Sequence, residues 1–289
     1  MKLMKYRWLF FLISAIVLVP GIFSLLTVGL RPSIDFTGGT LLELKLDELV
    51  TEQFWYDSAG EELALQTIQT TEDGSYILRG KPISEEIKNS FVETVSQQVG
   101  FVEVVRFETV GPILGQELIR KMLWAGLIVM IFILLYVAKQ FTDLKFGLSA
   151  ILAMLHDSLV VLGSFSLFGY FYGVEVDVLF VTALLTTLSF SVHDTIVVFD
   201  RIRELQRRYP KYSFTEMADR AVSETLVRSL NNSITIIVML LSLVLLGGQS
   251  IKWFSVALLI GAITGTYSSS FTAVPLLVQW HQKVFKKHV

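Results

Sequence analysis

Six apolar runs dominate the pattern along this chain, at about Trp8 to Leu30, Met122 to Ala138, Gly147 to Phe171, Val176 to Phe199, Leu230 to Gly248 and Trp253 to Trp280. Each is long enough for a helix to cross a hydrocarbon core ~30 Å thick. A polytopic α-helical membrane protein with six transmembrane helices is therefore expected. The first run follows Lys2, Lys5 and Arg7, as a signal peptide would, but its 23 residues exceed the ~7–15 of a cleaved apolar region. A retained anchor is expected instead.

Between the first two runs the pattern changes period. Leu42, Leu44 and Leu46 alternate with polar residues, which predicts a strand with one buried face. Further strands are expected over Leu63 to Thr70, Ser75 to Arg79 and Val102 to Phe107. Ser84-Glu85-Glu86 reads as a cap followed by two acids in a first turn, and Ile87, Phe91, Val95 and Val99 then share one helical face before Gly100. A small sheet covered by a helix, an α+β domain over residues 31–112, is large enough to fold as a unit. It divides the chain into residues 1–30 with the first helix, this domain, and residues 113–289 with five more helices.

Two glycine-containing motifs bracket the domain: Ile34-Asp35-Phe36-Thr37-Gly38-Gly39-Thr40 and Val110-Gly111-Pro112-Ile113-Leu114-Gly115-Gln116-Glu117-Leu118. Both read as tight turns, and Gly38-Gly39 also suits a close backbone approach or a hinge.

Charge sets the orientation. Fifteen Lys and Arg (Lys2, Lys5, Arg7, Lys139, Lys145, the seven between Arg201 and Arg228, Lys283, Lys286 and Lys287) fall in connections on one side of the six spans. The opposite short connections hold Glu175, Asp177 and Lys252. By the positive-inside rule both termini and the loop at residues 200–229 are expected in the cytoplasm. The α+β domain is then external, and it is acidic, with 15 Asp and Glu against 6 Lys and Arg between Arg31 and Pro112. Composition agrees with a lipid-embedded body, since 53% of residues are hydrophobic. The acidic segment argues against nucleic-acid binding, and the absence of cysteine excludes disulfides and thiolate metal sites.

The candidate chemistry lies where lipid should be. An ionisable residue at membrane depth costs ~2.5–3.5 kcal/mol, so each is a functional candidate. His156-Asp157 falls near the middle of span three, and His193-Asp194 in span four close to its basic end. Asp194 shares a face with Thr187, Ser191 and Val198, while Thr182, Thr186, Ser189 and His193 line the adjoining face. This broad polar stripe is expected to look into protein. Span five opens with Arg228, Asn231, Asn232 and Thr235 on one face. Asp194 and Arg228 lie in the same half of the membrane, their depths about 10 Å apart at ~1.5 Å per residue, a gap that a long Arg side chain covers in part. Span six adds Gly261, Thr264, Gly265, Ser268 and Thr272, small residues suited to close helix contact.

Burial favours a protonated carboxyl and a nearby guanidinium favours the carboxylate, so changing the distance between Asp194 and Arg228 loads and releases a proton. The alternative is a structural ion pair that fixes packing. For His156 and Asp157 the alternative is an interhelical hydrogen bond, and for His193 simple packing. Tyr212 to Ser229 reads as an amphipathic helix opened by Ser213, whose basic residues follow the positive-inside rule or contact lipid or a partner. No nucleophile, metal-ligand cluster or phosphate loop accompanies these groups, so no enzyme activity, catalytic residue, metal or cofactor is expected.

Five segments, IDFTGGT, VGPILGQEL, LHDS, SVHDTIVVFDRIRE and LVRSLNNSIT, in that order and across nearly the whole chain, resemble the SecF family. That family belongs with SecD to the resistance-nodulation-division superfamily of proton-driven transporters. The resemblance implies six spans, a ferredoxin-like external domain, and use of the proton-motive force to assist protein export across the bacterial cytoplasmic membrane. It implies three partners, namely a SecD-like subunit, the Sec translocon (SecYEG) and the unfolded preprotein. It maps the coupling carboxylate onto Asp194, the functional arginine onto Arg228, and the family glycine motif onto Asp35, Gly38 and Gly39. A small-molecule or lipid exporter of the same superfamily, and a scaffold subunit that transduces nothing, are the other readings.

Overall fold

Long helices form wherever the apolar runs lie, and in several cases they extend well past them. The computed structural model describes residues 2–71, 74–141 and 143–285. After a 3₁₀ turn at Leu3–Tyr6 come α1 (Arg7–Thr27), α2 (Ile34–Thr37), β1 (Gly39–Leu46), α3 (Glu52–Leu63), β2 (Thr67–Thr70), β3 (Tyr76–Gly80), α4 (Glu85–Val99) and β4 (Val102–Val110). The remainder is helical: α5 (Pro112–Gln140), α6 (Leu144–Tyr172), α7 (Val178–Arg208), α8 (Phe214–Leu246), α9 (Gln249–Ser268) and α10 (Val274–Phe285), with a π-helical turn at Ser269–Ala273 joining the last two. Among the described residues, six helical stretches are long and apolar enough to cross a membrane. The chain divides into two compact units, Met1–Arg31 with Ala125–Val289, and Pro32–Trp124.

In the helical unit, side-chain caps set the helix starts. Asp143 accepts from the Lys145 amide and Asp177 from the Phe180 amide at the heads of α6 and α7. Ser213 and Glu216 form a reciprocal capping box at the head of α8. No break separates the amphipathic segment after Ser213 from span five; both belong to one helix of 33 residues. Helices approach closely where glycines meet. A Cβ on Gly163 of α6 would lie 2.6 Å from Gly21 Cα of α1, and one on Gly261 of α9 would lie 2.0 Å from Thr187 Cγ2 of α7. Ser24 and Ser166 share a 2.8 Å hydrogen bond beside the first contact. Small residues and interhelical hydroxyls of this kind hold helices together where lipid removes the hydrophobic drive. At the basic end Phe141, Phe146 and Phe199 pack with centroids 5.3–5.8 Å apart.

The other unit is a four-stranded antiparallel sheet in the order β2-β3-β1-β4, packed on α3 and α4. Leu42 and Leu44 of β1, Leu78 of β3, Trp55, Phe91 and Val95 form its core. Ser84 caps α4 and Gly100 ends it, the helix occupying the segment that the pattern marks. One expectation fails. Leu63 to Thr70 is not a strand: Leu63 closes α3, Ala64 turns in the left-handed region at φ 41°, and only Thr67–Thr70 pairs with β3. The reason is that the segment before it packs as helix: Trp55 and Ala59, four apart, bury one face of α3, the helix breaks at Gly60, and Leu63 is buried in the same core beyond the break. The expected strands at Ser75 to Arg79 and Val102 to Phe107 appear as β3 and a longer β4.

Candidate functional site, a polar seam within the apolar helices

Two rows of buried polar side chains run through the helical unit. Thr187, Ser191 and Thr195, at i, i+4 and i+8 on α7, are buried, as are Thr225, Ser229 and Ser233 at the same spacing on α8. Asp194 sits beside these rows, half-buried, and its Oδ2 accepts a 2.8 Å hydrogen bond from Ser229 Oγ. Thr266 of α9 donates to Ser233 Oγ at 2.6 Å, tying α9 to α8.

The structure departs here from one alternative, a structural Asp194–Arg228 ion pair, and from one expectation, a polar stripe that faces protein throughout. Arg228 makes no ion pair with Asp194; its side chain is exposed, together with Asn231, Asn232 and Thr235. Helical geometry explains this, because Ser229 occupies the buried row and its neighbour points about 100° away. The polar stripe on α7 is also split. Thr187 and Ser191 face inward, but Thr182, Thr186, Ser189 and His193 lie on the surface of this chain. An uncovered polar face with His193, Arg228, Asn231 and Asn232 therefore flanks the half-buried Asp194.

In α6, His156 and Asp157 are both buried. His156 Nδ1 lies 2.9 Å from Asp157 Oδ1, and Ser268 Oγ of α9 donates to Oδ2 at 2.6 Å. An interhelical hydrogen bond, the alternative reading for this pair, is made by Asp157 with Ser268. The small stripe of span six thus divides its work: Gly261 meets Thr187, Gly265 meets Ser191, Ser268 meets Asp157, Thr272 bonds Ser14 at 3.3 Å, and Thr264 bonds only its own backbone.

The basic ends of α7 and α8 are braced by ions. Arg201 donates to Glu224 at 2.6 Å and also pairs with Glu204. Arg220 donates to Glu224 at 2.7 Å and stacks over Tyr209 at 4.8 Å. Arg203 reaches Asp200 and the Gln140 carbonyl.

In the α+β unit the two glycine motifs clasp each other. Ser33 caps α2 by accepting from the Asp35 amide. Gly38 then turns with φ 73° and ψ 165°, a conformation open essentially to glycine alone. A Cβ there would lie 2.8 Å from Pro112 Cα, one on Gly39 2.9 Å from the Gly80 carbonyl, and one on Gly115 2.7 Å from the Phe36 carbonyl. Close backbone approach is therefore what these glycines permit. Pro112 is the first residue of α5, a position where its missing N–H costs nothing.

Sequence reasoning passed over Ser229 and Ser233. Their signal is the four-residue spacing with Thr225, which marks the buried face of α8, whereas attention to charge leads to Arg228 on the adjoining exposed face.

Among the described residues, six helices long and apolar enough to cross a membrane, a carboxylate hydrogen-bonded between two of them and a separate α+β unit fit a multi-pass membrane protein. Comparison with known proteins supplies the family. Residues 91–283 match the family described as protein export membrane protein SecD/SecF, C-terminal, and residues 23–48 match the SecD/SecF GG motif. The protein translocase subunit SecF of Thermobaculum terrenum is 41% identical over 300 residues, covering 98% of this chain and 95% of that one. The SecF subunit of Synechocystis is 33% identical over 98% of this chain. The crystal structure of SecDF from Thermus thermophilus, titled a translocon-associated membrane protein, superposes with a TM-score of 0.84 at 31% identity, covering 98% of this chain and 39% of that chain. This chain belongs to the SecD/SecF protein-export membrane protein family, as a SecF-type member.

Proposed function

We propose that this chain is the SecF-type half of a proton-driven protein-export machine in the bacterial cytoplasmic membrane. Together with a SecD-like chain it uses the proton-motive force to help the Sec translocon (SecYEG) move unfolded preproteins outward. Both termini lie in the cytoplasm, and the α+β unit, whose strand order suits a ferredoxin-like topology, lies outside.

The observation that carries this reading is the half-buried Asp194, held by one hydroxyl from Ser229 and flanked by the uncovered face of His193, Arg228, Asn231 and Asn232. Polar and charged groups at membrane depth need protein or a water-lined cavity beside them. A second helical bundle, supplied by the SecD-like chain, meets that need. In this arrangement Asp194 takes up a proton when Arg228 is distant and gives it up when Arg228 approaches. One proton crossing provides ~2.3 kcal/mol per 100 mV, enough to bias a two-state helix rearrangement that moves the external unit.

The test is pulse-chase export in cells carrying only Asp194→Asn. Precursor accumulates while the variant inserts and retains its partner. Precursor maturation at the wild-type rate overturns the proposal. Arg228→Ala gives the same phenotype, whereas a scaffold role leaves both substitutions silent.

A further inference from the structure

His156 and Asp157 take no part in the Asp194 site, yet they form the most deeply buried ionisable pair in the spans. Asp157 is 1% exposed and His156 8%. One carboxylate oxygen faces His156 Nδ1 at 2.9 Å and the other accepts from Ser268 Oγ at 2.6 Å. His156 Nε2 is buried and has no hydrogen-bond partner. Among the described residues no Lys or Arg is bonded to the pair, so protonation of the pair itself is what can balance the Asp157 charge.

The surroundings are polar but uncharged at the point of contact. From α7, Ser191 carries a buried hydroxyl with no partner, and Asp157 Oδ2 and Ser191 Cα lie 3.8 and 3.5 Å from where a Cβ on Gly265 would stand. From α9, the Tyr267 ring lies 6.5 Å from that of His156, and its hydroxyl donates to the Phe10 carbonyl of α1. The other ionisable groups on the elements packed around α6 are directed elsewhere or lie apart. Asp194 bonds Ser229, Arg7 bonds Gln282, His281 stacks on Phe214, and His193 is exposed. The π-helical turn starts at the residue after Ser268, and its Ser270 hydroxyl is also buried without a partner. Such turns recur at functional sites.

We propose that His156 and Asp157 form a second proton-binding site, separate from Asp194, whose state is passed through Ser268 to the π-helical turn of span six. The proton binds at His156 Nε2 while Nδ1–H stays on the carboxylate. The proton-loaded pair, imidazolium with carboxylate, is neutral overall. The unloaded pair carries one negative charge, which leans on the Ser268 hydroxyl and tightens the tie between α6 and α9.

The test is nitrogen-15 NMR of histidine side chains in the full chain with its SecD-like partner in bilayers, between about pH 5 and 9. His156→Gln assigns the signal by its disappearance. The expected result is a titrating His156 imidazole whose midpoint falls by about tenfold or more in Asp157→Asn, as loss of an adjacent carboxylate requires. Ser268→Ala, which removes one donor to the carboxylate and little packing, moves the midpoint the opposite way. Amide exchange over residues 265–274 follows the same midpoint in the wild type. Asp194→Asn leaves the His156 titration in place, which separates this site from the proposed coupling site. A single unchanging form of His156 across that range, or an unmoved midpoint in Asp157→Asn, overturns the proposal.

Discussion

Gly38→Ala perturbs the clasp between the two glycine motifs in a way whose size the geometry sets. Gly38 has φ 73° and ψ 165°, where a non-glycine residue is strained by about 1–3 kcal/mol. The new methyl also meets backbone, 2.8 Å from Pro112 Cα and 3.0 Å from Pro112 N, and overpacking against atoms that cannot rotate away adds about 1–3 kcal/mol. The sum is roughly 2–6 kcal/mol. Gly100→Ala separates the two contributions, because Gly100 also has positive φ, at 83°, but nothing lies within 4 Å of its Cβ position. The assay is amide exchange of the paired β1 strand in the full chain in bilayers. At about 1.4 kcal/mol per tenfold, exchange in Gly38→Ala accelerates by about one and a half to four decades, and in Gly100→Ala by about one decade or two. Equal acceleration in the two variants, or no change in Gly38→Ala, would refute the reasoning.

Three further outcomes follow from other contacts. Gly261→Ala drives a methyl to 2.0 Å from Thr187 Cγ2 and should lower detergent-melting stability by about 1–3 kcal/mol; Thr187→Ser in the same chain restores part of that loss, whereas no restoration places the strain elsewhere. Ser229→Ala removes the one hydroxyl held on Asp194 at 2.8 Å and should slow proton-dependent export, yet add nothing in the presence of Asp194→Asn; additive defects would show the two residues act separately. Since the chain has no cysteine, single cysteines report uniquely: Ser189→Cys and Asn232→Cys, on the uncovered polar face, should cross-link to a SecD-like chain carrying its own cysteine, and buried Ser191→Cys should not.

Much of this fold can be read along the chain because hydrocarbon imposes a length requirement that apolar runs meet openly. The same holds for α4, whose cap, acids and apolar spacing agree. What escapes has physical causes. The α3 segment carries Gly60 with a non-helical φ/ψ and mixes charge with Trp55 and Ala59, so its apolar face is too sparse to declare a period. The π-helical turn at Ser269–Ala273 lies between Ser268 and Pro275; a serine run and a proline without its N–H mark a local irregularity in a helix, but not the hydrogen-bond pattern that it takes. Charge located Asp194, His156 and Asp157, but the hydroxyls that hold them, Ser229 and Ser268, are recognised as partners only once helix faces are brought together. Likewise, periodicity says that Thr182, Thr186, Ser189 and His193 share a face, and nothing in one chain says what covers it.

Proton coupling through Asp194 is tested most directly in inverted membrane vesicles that contain the translocon, the SecD-like chain and this protein, with a preprotein stalled part-way. An imposed proton gradient should complete its import in the wild type and fail to do so with Asp194→Asn, while ATP-driven initiation is the same in both. Gradient-driven completion at the wild-type rate in Asp194→Asn would contradict the account.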